Sequence, residues 1–365
     1  MKTASISSFI FGASLALLSS VPTTAQAQAA NRPYWVSSYQ ELGQALQYHE
    51  ARSRGQMQLE VVGQSNQGRH IYLAKIGNPA NTPVMIISQQ HGNEVINSES
   101  TLQLIQWLYS SPAAASIRDR LYVLLMPRVN PDGTENYVRF NFDPAAPANN
   151  NAVGIFSGAI PGGRGWDINR YHDVVWTNSL LYRNFPAQYP TNPVPEAVAV
   201  ANVTKRFNPI WTIDFHGQGQ YLTAEGRDIK ASALWPTAPA AQPAAVELSK
   251  KLVAITKQFS DQYPLALITK YPGGQEEGIS RNAYGIYGIG SVLIEIKGGA
   301  AYQTEPGYLI RYSTDMMRNM LLRTADGSLF TADPNVADTL PSDAPGNRRP
   351  YEEAGGEDHH HDHEH

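Results

Sequence analysis

The 365-residue chain contains no cysteine. That excludes disulfides, a cysteine nucleophile and any thiolate metal site, so a metal would have to be held by histidine, aspartate or glutamate. Strong charge is missing too. A net charge of −4 with 16% charged residues excludes the polybasic surface of a nucleic-acid binder and the runs of an acidic tail protein. Long apolar stretches are also lacking, and the run from Phe9 to Leu18 is shorter than the ~20 residues a membrane span requires. Histidine is scarce in the body of the chain. Of ten, five fall in the last seven residues, leaving His49, His70, His91, His172 and His216.

What is present begins with an address. Lys2, the short apolar run and the small residues ending at Ala25-Gln26-Ala27 form the pattern of a secretory signal peptide, residues 1–27, with Ala29 as a second cleavage point. An exported protein, periplasmic or secreted, is predicted, with no membrane span after signal removal and no nucleic-acid partner.

The body alternates strands and helices. Strands are expected at 58–62 and 70–76 around the Gly68-Arg69 turn, then at 84–88, 121–126, 210–215, 265–269 and 292–296. Helical spacing covers 39–53, 95–109, 195–207, 245–259 and 308–322. The continuous apolar runs at 84–88 and 121–126 suit strands buried on both faces. Together these predict one α/β domain over residues 33–325, with a mixed, mostly parallel central sheet flanked by helices. In such sheets ligands sit at the carboxyl ends of the strands. Residues 128–191 lack periodicity, and a loop region of that length in a compact domain is usually functional. From 326 to 365 the pattern dissolves into a linker and a tail rich in His and acids, expected to be disordered.

The chemistry gathers at strand ends. His91 and Glu94 follow the 84–88 run and can grip one metal ion from one side. His216 closes the run beginning at Trp211 and is the best third ligand among the few histidines. Two His and one Glu leave a zinc position open for water, as in catalytic sites. The bland alternatives are helix caps at Asn93 and Asn97, a first-turn acid at Glu94, and an ordinary hydrogen-bonded strand-end histidine. Glu295 is the single acid in the run Ser291 to Ile296. A buried carboxylate is costly unless it is paired, for instance with Lys297, or has a task such as general base. Asp167-Ile-Asn169-Arg170 offers an arginine fork and an amide for a carboxylate, and Asp167 can orient a ligating imidazole; alone it reads equally as a turn.

In order along the chain, Gly68-Arg-His-Ile-Tyr-Leu-Ala-Lys-Ile76, His91-Gly-Asn-Glu94, Asn130-Pro-Asp-Gly133, Asp167-Ile-Asn-Arg170, His216 and Glu295 resemble the carboxypeptidase A-like zinc metallocarboxypeptidases, over roughly Tyr34 to Leu322. The resemblance implies one Zn2+ held by His91, Glu94 and His216, and Glu295 as the acid and base in turn. It implies that Asn169 and Arg170 bind the terminal carboxylate of a peptide, making an exopeptidase for peptides with a free C-terminus. Arg139 would polarise the scissile carbonyl, with Arg128 as the rival. Tyr271 would be the family's mobile tyrosine, with Tyr284 as the rival. If Gly273-Gly274 matches the family's glycine pair, Glu276 falls near the position that selects the side chain, and an acid there favours C-terminal Lys or Arg.

Two other functions fit parts of the pattern: a zinc-dependent deacylase of N-acyl amino acids, and a non-catalytic zinc- or peptide-binding exported protein. The address suggests peptidoglycan stem peptides as natural substrates. The His-rich tail reads either as a plain terminus or as an arm that gathers zinc.

Overall fold

The computed structural model describes residues 35–299, 301–342 and, as backbone, 348–350. The expected signal peptide and His-rich tail lie outside the described residues. In chain order, α1 (Tyr39–Arg52) precedes β1 (Met57–Gln64), β2 (His70–Ile76) and β3 (Thr82–Ser88). Then come α2 (Ile96–Ser110), α3 (Ala115–Arg120), β4 (Leu121–Met126), α4 (Pro131–Asn136), β5 (Ser157–Ile160), β6 (Gly163–Trp166), α5 (Leu180–Asn184) and α6 (Pro195–Phe207). The remainder is β7 (Trp211–Gln218), β8 (Tyr221–Thr223), β9 (Ala231–Leu234), α7 (Pro243–Gln262), β10 (Ile268–Lys270), α8 (Ser280–Tyr287), β11 (Gly290–Lys297), α9 (Ala301–Thr304), α10 (Pro306–Ala325) and β12 (Arg348–Pro350).

Local chemistry explains many of the boundaries. Ser38 opens α1 with a reciprocal cap: its hydroxyl accepts from the Glu41 N–H at 3.2 Å, and the Glu41 carboxylate accepts from the Ser38 N–H at 2.7 Å. Proline occupies the first turn of α4, α6, α7 and α10, where its missing N–H has no helical partner to lose. Gly68 turns the β1–β2 hairpin at φ +76°, a left-handed conformation that favours glycine.

Eight strands form one sheet in the order β1-β2-β4-β3-β7-β11-β9-β10. The centre, β4-β3-β7-β11, is parallel, while β1-β2, β2-β4 and β11-β9 pair antiparallel. This is the mixed, mostly parallel sheet expected. Every residue of β4 and β11 is buried. Val84, Ile86, Ile213, Phe215, Val292 and Ile294 pack on one face against residues of α2, α7 and α10. Met85, Ile87, Leu124 and Met126 pack on the other, against α6 and the segment between β4 and α6, including Trp166, Ile168 and Tyr171. Strand alternation puts Asp214, His216 and Glu295 on this second face.

That intervening segment reads as loop in the sequence because its order comes from specific hydrogen bonds rather than periodic burial. Asn141 accepts from the Trp166 N–H at 2.7 Å and donates to Glu196 at 2.8 Å, while Asp143 accepts from the Trp166 indole at 2.7 Å.

The linker expected from 326 onward is corrected for residues 326–342. Leu329, Ala337 and Leu340 are buried in the core. A 3-10 turn spans Pro334–Thr339, the Lys270 N–H donates to the Pro341 carbonyl at 2.8 Å, and Lys250 pairs with Asp338 at 2.9 Å. Its buried apolar residues, Leu329, Ala337 and Leu340, are too widely spaced to show a period, yet all three enter the core. The strand expected at 265–269 is shifted to Ile268–Lys270.

Candidate metal centre

The chain leaves β3 through an unusual turn. Gln89 is fully buried and left-handed, at φ +57°, a strained conformation for glutamine of the sort that gathers at functional sites. Its side chain is held at both ends: the amide donates to the Gly92 carbonyl at 3.1 Å, and its oxygen accepts from Arg128 at 2.9 Å. The Asn130-Pro-Asp-Gly133 motif clamps the next residues. The Asn130 amide donates to the Gln90 carbonyl at 3.0 Å and accepts from the Gly133 N–H at 2.7 Å. Gly92 lies against Gly133 so closely that a Cβ on Gly92 would overlap the backbone of Gly133 and Thr134. Asp132 faces away, accepting from the Ser65 hydroxyl, the Gln67 N–H and Arg69 at 2.7, 3.0 and 2.6 Å, which ties the β1–β2 hairpin to the clamp.

This turn delivers His91 and Glu94 to His216, and all three are buried. His91 Nδ1 lies 2.7 Å from Glu94 Oε1 and 3.0 Å from His216 Nδ1. His216 Nδ1 lies 2.9 Å from Glu94 Oε2, which also accepts from the Gly217 N–H at 2.9 Å. Both outer ring nitrogens face carboxylates: His91 Nε2 meets Asp167 at 3.0 Å, and His216 Nε2 meets Asp214 at 2.9 Å. A carboxylate can only accept, so each Nε2 carries a proton, and when the rings are neutral each Nδ1 presents a lone pair. Two lone pairs and a carboxylate converging in a buried space repel one another unless a proton or a metal cation joins them. The donor set therefore fits a metal ion, and these three residues could hold one. In the metal-free protein burial works against the His216 charge, but Asp214 and Glu94 hold its ring well above the usual histidine range. Glu94 stays well below the carboxylate range despite burial, because His91 and His216 face it.

The other expected residues surround this cluster. Arg139 reaches Glu94 at 3.4 Å and Asp167 at 3.1 Å. Its rival Arg128 is buried elsewhere, committed to Gln89, to Ser98 at 3.3 Å and to Glu99 at 3.9 Å. Asn169 accepts from the Ser280 N–H at 2.9 Å, and its amino group lies 3.1 Å from His216 Nε2. That nitrogen already donates to Asp214, so the Asn169 amide hydrogens remain for another acceptor. Arg170 donates to the Asn169 carbonyl at 2.8 Å, stacks its guanidinium 5.6 Å above Phe156, and has a buried Nε–H without a partner. A cavity of about 240 Å³ opens beside it, walled by Phe156, Tyr171, Asp173, Glu276 and Gly278. The inner oxygen of Glu276 is buried without a hydrogen-bond partner, with the Arg281 cation nearby.

Glu295 is the register partner of His216 in the parallel β7–β11 pair, so the two side chains share a face. Burial pushes its carboxyl up to about 8, with Glu94 adding and His216 and Arg139 opposing. Lys297, the alternative partner, pairs with Asp228 and Glu305 at 2.9 and 2.8 Å, and Glu295 has no ion pair among the described residues. Tyr271 follows β10, half-buried, and bears electrostatically on Arg139 and Arg281. Its rival Tyr284 is fully buried, with its hydroxyl 2.7 Å from His172 Nδ1, so it has no freedom to swing.

Sequence reasoning missed Asp214 and Asn97, which donates to the His216 carbonyl at 2.8 Å. Asp214 was findable: it stands two residues before His216, on the same strand face, within an otherwise apolar run.

A sheet end that presents two histidines and a glutamate to one point is a place for a single metal ion on an α/β scaffold. The chain belongs to the zinc carboxypeptidase family, whose sequence profile matches residues 42–319. Carboxypeptidase D of Anas platyrhynchos is 28% identical over 172 residues, 44% of this chain and 11% of that protein. The human carboxypeptidase N catalytic chain is 26% identical over 204 residues, 49% of this chain and 42% of that protein. Less than half the length of these relatives is thus matched. Among solved structures, carboxypeptidase A of Helicoverpa armigera shares the fold, with a TM-score of 0.60 at 16% identity over 80% of this chain and 74% of that one. The deacylase and non-catalytic readings are not favoured by these comparisons. No helix among the described residues is long and apolar enough to cross a membrane.

Proposed function

We propose that this chain is a zinc-dependent metallocarboxypeptidase that hydrolyses the C-terminal residue of peptides. The convergence of His91 Nδ1, His216 Nδ1 and Glu94 within hydrogen-bonding reach of one another carries the reading. A zinc ion held by His91, Glu94 and His216 would supply Lewis acidity and bring the pKa of a bound water down to about 7. Glu295, raised toward neutrality by burial, takes a proton from the attacking water and returns it to the leaving amine, working as base and then acid. Arg139 stabilises the oxyanion as it forms. Arg170, with its unpaired Nε–H, and Asn169, with its free amide hydrogens, hold the terminal carboxylate. Tyr271 covers the bound end of the peptide. Glu276, on the cavity wall beside Arg170, favours a C-terminal lysine or arginine.

We take the catalytic domain as residues 33–325, with residues 326–342 packed onto it and the catalytic residues between His91 and Glu295. Export to the periplasm or medium, peptidoglycan stem peptides as substrates and zinc gathering by the tail all rest on residues outside the described part, and stand as proposals from the sequence.

The test is a panel of peptides ending in Arg, Phe and Glu, each with a free or an amidated C-terminus, followed by mass spectrometry with and without chelator. Trimming of one residue at a time from the free ends, halted by chelation and restored by zinc, is expected. Cleavage of the amidated peptides, or activity that survives chelation, overturns the assignment; equal rates on all three ends remove the role of Glu276.

A further inference from the structure

Behind His216 runs a line of buried polar side chains that the proposed reaction does not use. Asp214 Oδ2 accepts from His216 Nε2 at 2.9 Å, from the Gln90 amide at 2.5 Å and from the Ser280 hydroxyl. Gln90 Oε1 meets His172 Nε2 at 2.5 Å, and His172 Nδ1 meets the Tyr284 hydroxyl at 2.7 Å. Gln90, His172, Asp214, Ser280 and Tyr284 are all 0% exposed.

The direction of every link is forced. The Asp214 carboxylate only accepts, so Gln90 turns its amino group toward it. The Gln90 oxygen then faces His172 and requires a donor, so His172 carries its proton on Nε2. Its Nδ1 keeps a lone pair, and Tyr284 supplies the O–H. Burial pushes the His172 ring down to about 4, which keeps it neutral as this pattern demands. The other Asp214 oxygen is buried without a hydrogen-bond partner, so the carboxylate is oriented through Oδ2. Gln90 also precedes His91, and its own carbonyl is clamped by Asn130. The chain of bonds thus links the loop that carries one ligand to the carboxylate that holds another.

We propose that His172 and Tyr284 are positioning residues for the metal centre: acting through Gln90 and Asp214, they hold the His216 ring in the tautomer whose Nδ1 can bind metal. This rests on the reading of His216 as a ligand. Groups hydrogen-bonded directly to a ligand, as Asp214 is to His216, typically change metal affinity 10- to 100-fold when removed, and His172 and Tyr284 act through that group.

The test uses the full chain, with zinc affinity measured by chelator competition and folding checked by circular dichroism. Tyr284→Phe, which removes one oxygen, is expected to weaken zinc binding about 10-fold, and His172→Met by about 10- to 100-fold. His172→Gln keeps one donor and one acceptor and is expected to restore most of the affinity. Nitrogen-15 spectra of the histidine rings in the wild type should show His172 protonated on Nε2 only, a readout that needs no variant to fold. A folded Tyr284→Phe with wild-type zinc affinity, or His172 protonated on Nδ1, overturns the proposal. A wild type that binds no zinc, or His216→Ala binding as tightly as wild type, instead removes the metal reading and the inference with it.

Discussion

Replacing Glu295 by glutamine takes a titrating proton out of the wall of the site while keeping the size of the side chain. In the metal-free protein the carboxyl is pushed up to about 8 by burial, from an ordinary 4.5. A carboxyl raised in the folded state makes that state the better proton binder. Stability therefore falls as pH rises from the unfolded value, near 4.5, to the folded value, near 8, and is flat beyond it. At roughly 1.36 kcal/mol per pH unit, ionising Glu295 in place costs the metal-free fold on the order of 5 kcal/mol. Glutamine has no such cost. Urea unfolding in the presence of chelator should show the variant gaining on the wild type through this window, with the gap constant above about pH 8. Zinc should narrow the gap, because a cation beside the carboxyl favours its ionised form. In the zinc-loaded protein, hydrolysis should drop by ~10²- to 10⁴-fold with zinc affinity retained. A stability difference independent of pH refutes the burial argument, and near-normal turnover refutes the assignment of Glu295 as base.

Three further outcomes follow from other sites. Glu196 is fully buried and pushed up to about 7 by burial, eased by its hydrogen bond from Asn141. Glu196→Gln should be more stable than wild type above pH 7, by on the order of 3 kcal/mol relative to its difference at pH 4, and parallel unfolding curves would count against it. Gly92→Ala forces a methyl group into the backbone of the Asn130–Gly133 clamp, so zinc affinity should fall by about 10-fold or more; unchanged binding in a competition assay would show that the loop can yield. Leu329→Ala empties a fully buried position in the segment after α10 and should cost ~2–4 kcal/mol in denaturant unfolding, whereas no loss would mean that this segment is not part of the folding unit.

The strands that carry the site were legible because each is an apolar run buried on both faces, and such runs need no alternation to be noticed. His91, Glu94 and His216 were legible for a related reason: ligand-type residues stand out where an apolar strand ends. β9, Ala231-Ser-Ala-Leu234, was not, since three small residues and one leucine carry neither β-branched bulk nor a pattern. α8 was hidden because its buried face includes Ser280, Arg281 and Asn282, which read as exposed until Ser280's partners Asn169 and Asp214, and those of Arg281 and Asn282 in the Gly274–Glu276 turn and at Thr237, are seen. Asp214 escaped attention although the argument used for Glu295, one acid inside an apolar strand, applies to it unchanged. The choice between Tyr271 and Tyr284 depends on burial, which neither spacing nor residue type reveals.

The pairing of Glu295 with His216 across β7 and β11 has a consequence for how such a site can vary. The separation between the proposed metal ligand and the group proposed to move the proton is set by backbone hydrogen bonds in the middle of a sheet, not by either side chain's surroundings. A slip of one residue in that ladder would turn Glu295 to the opposite face, into the layer of α7 and α10. No small adjustment lies between the working arrangement and a useless one. Insertions and deletions that preserve chemistry are therefore confined to the turns after the strands, while the strands themselves act as a fixed ruler for the reaction.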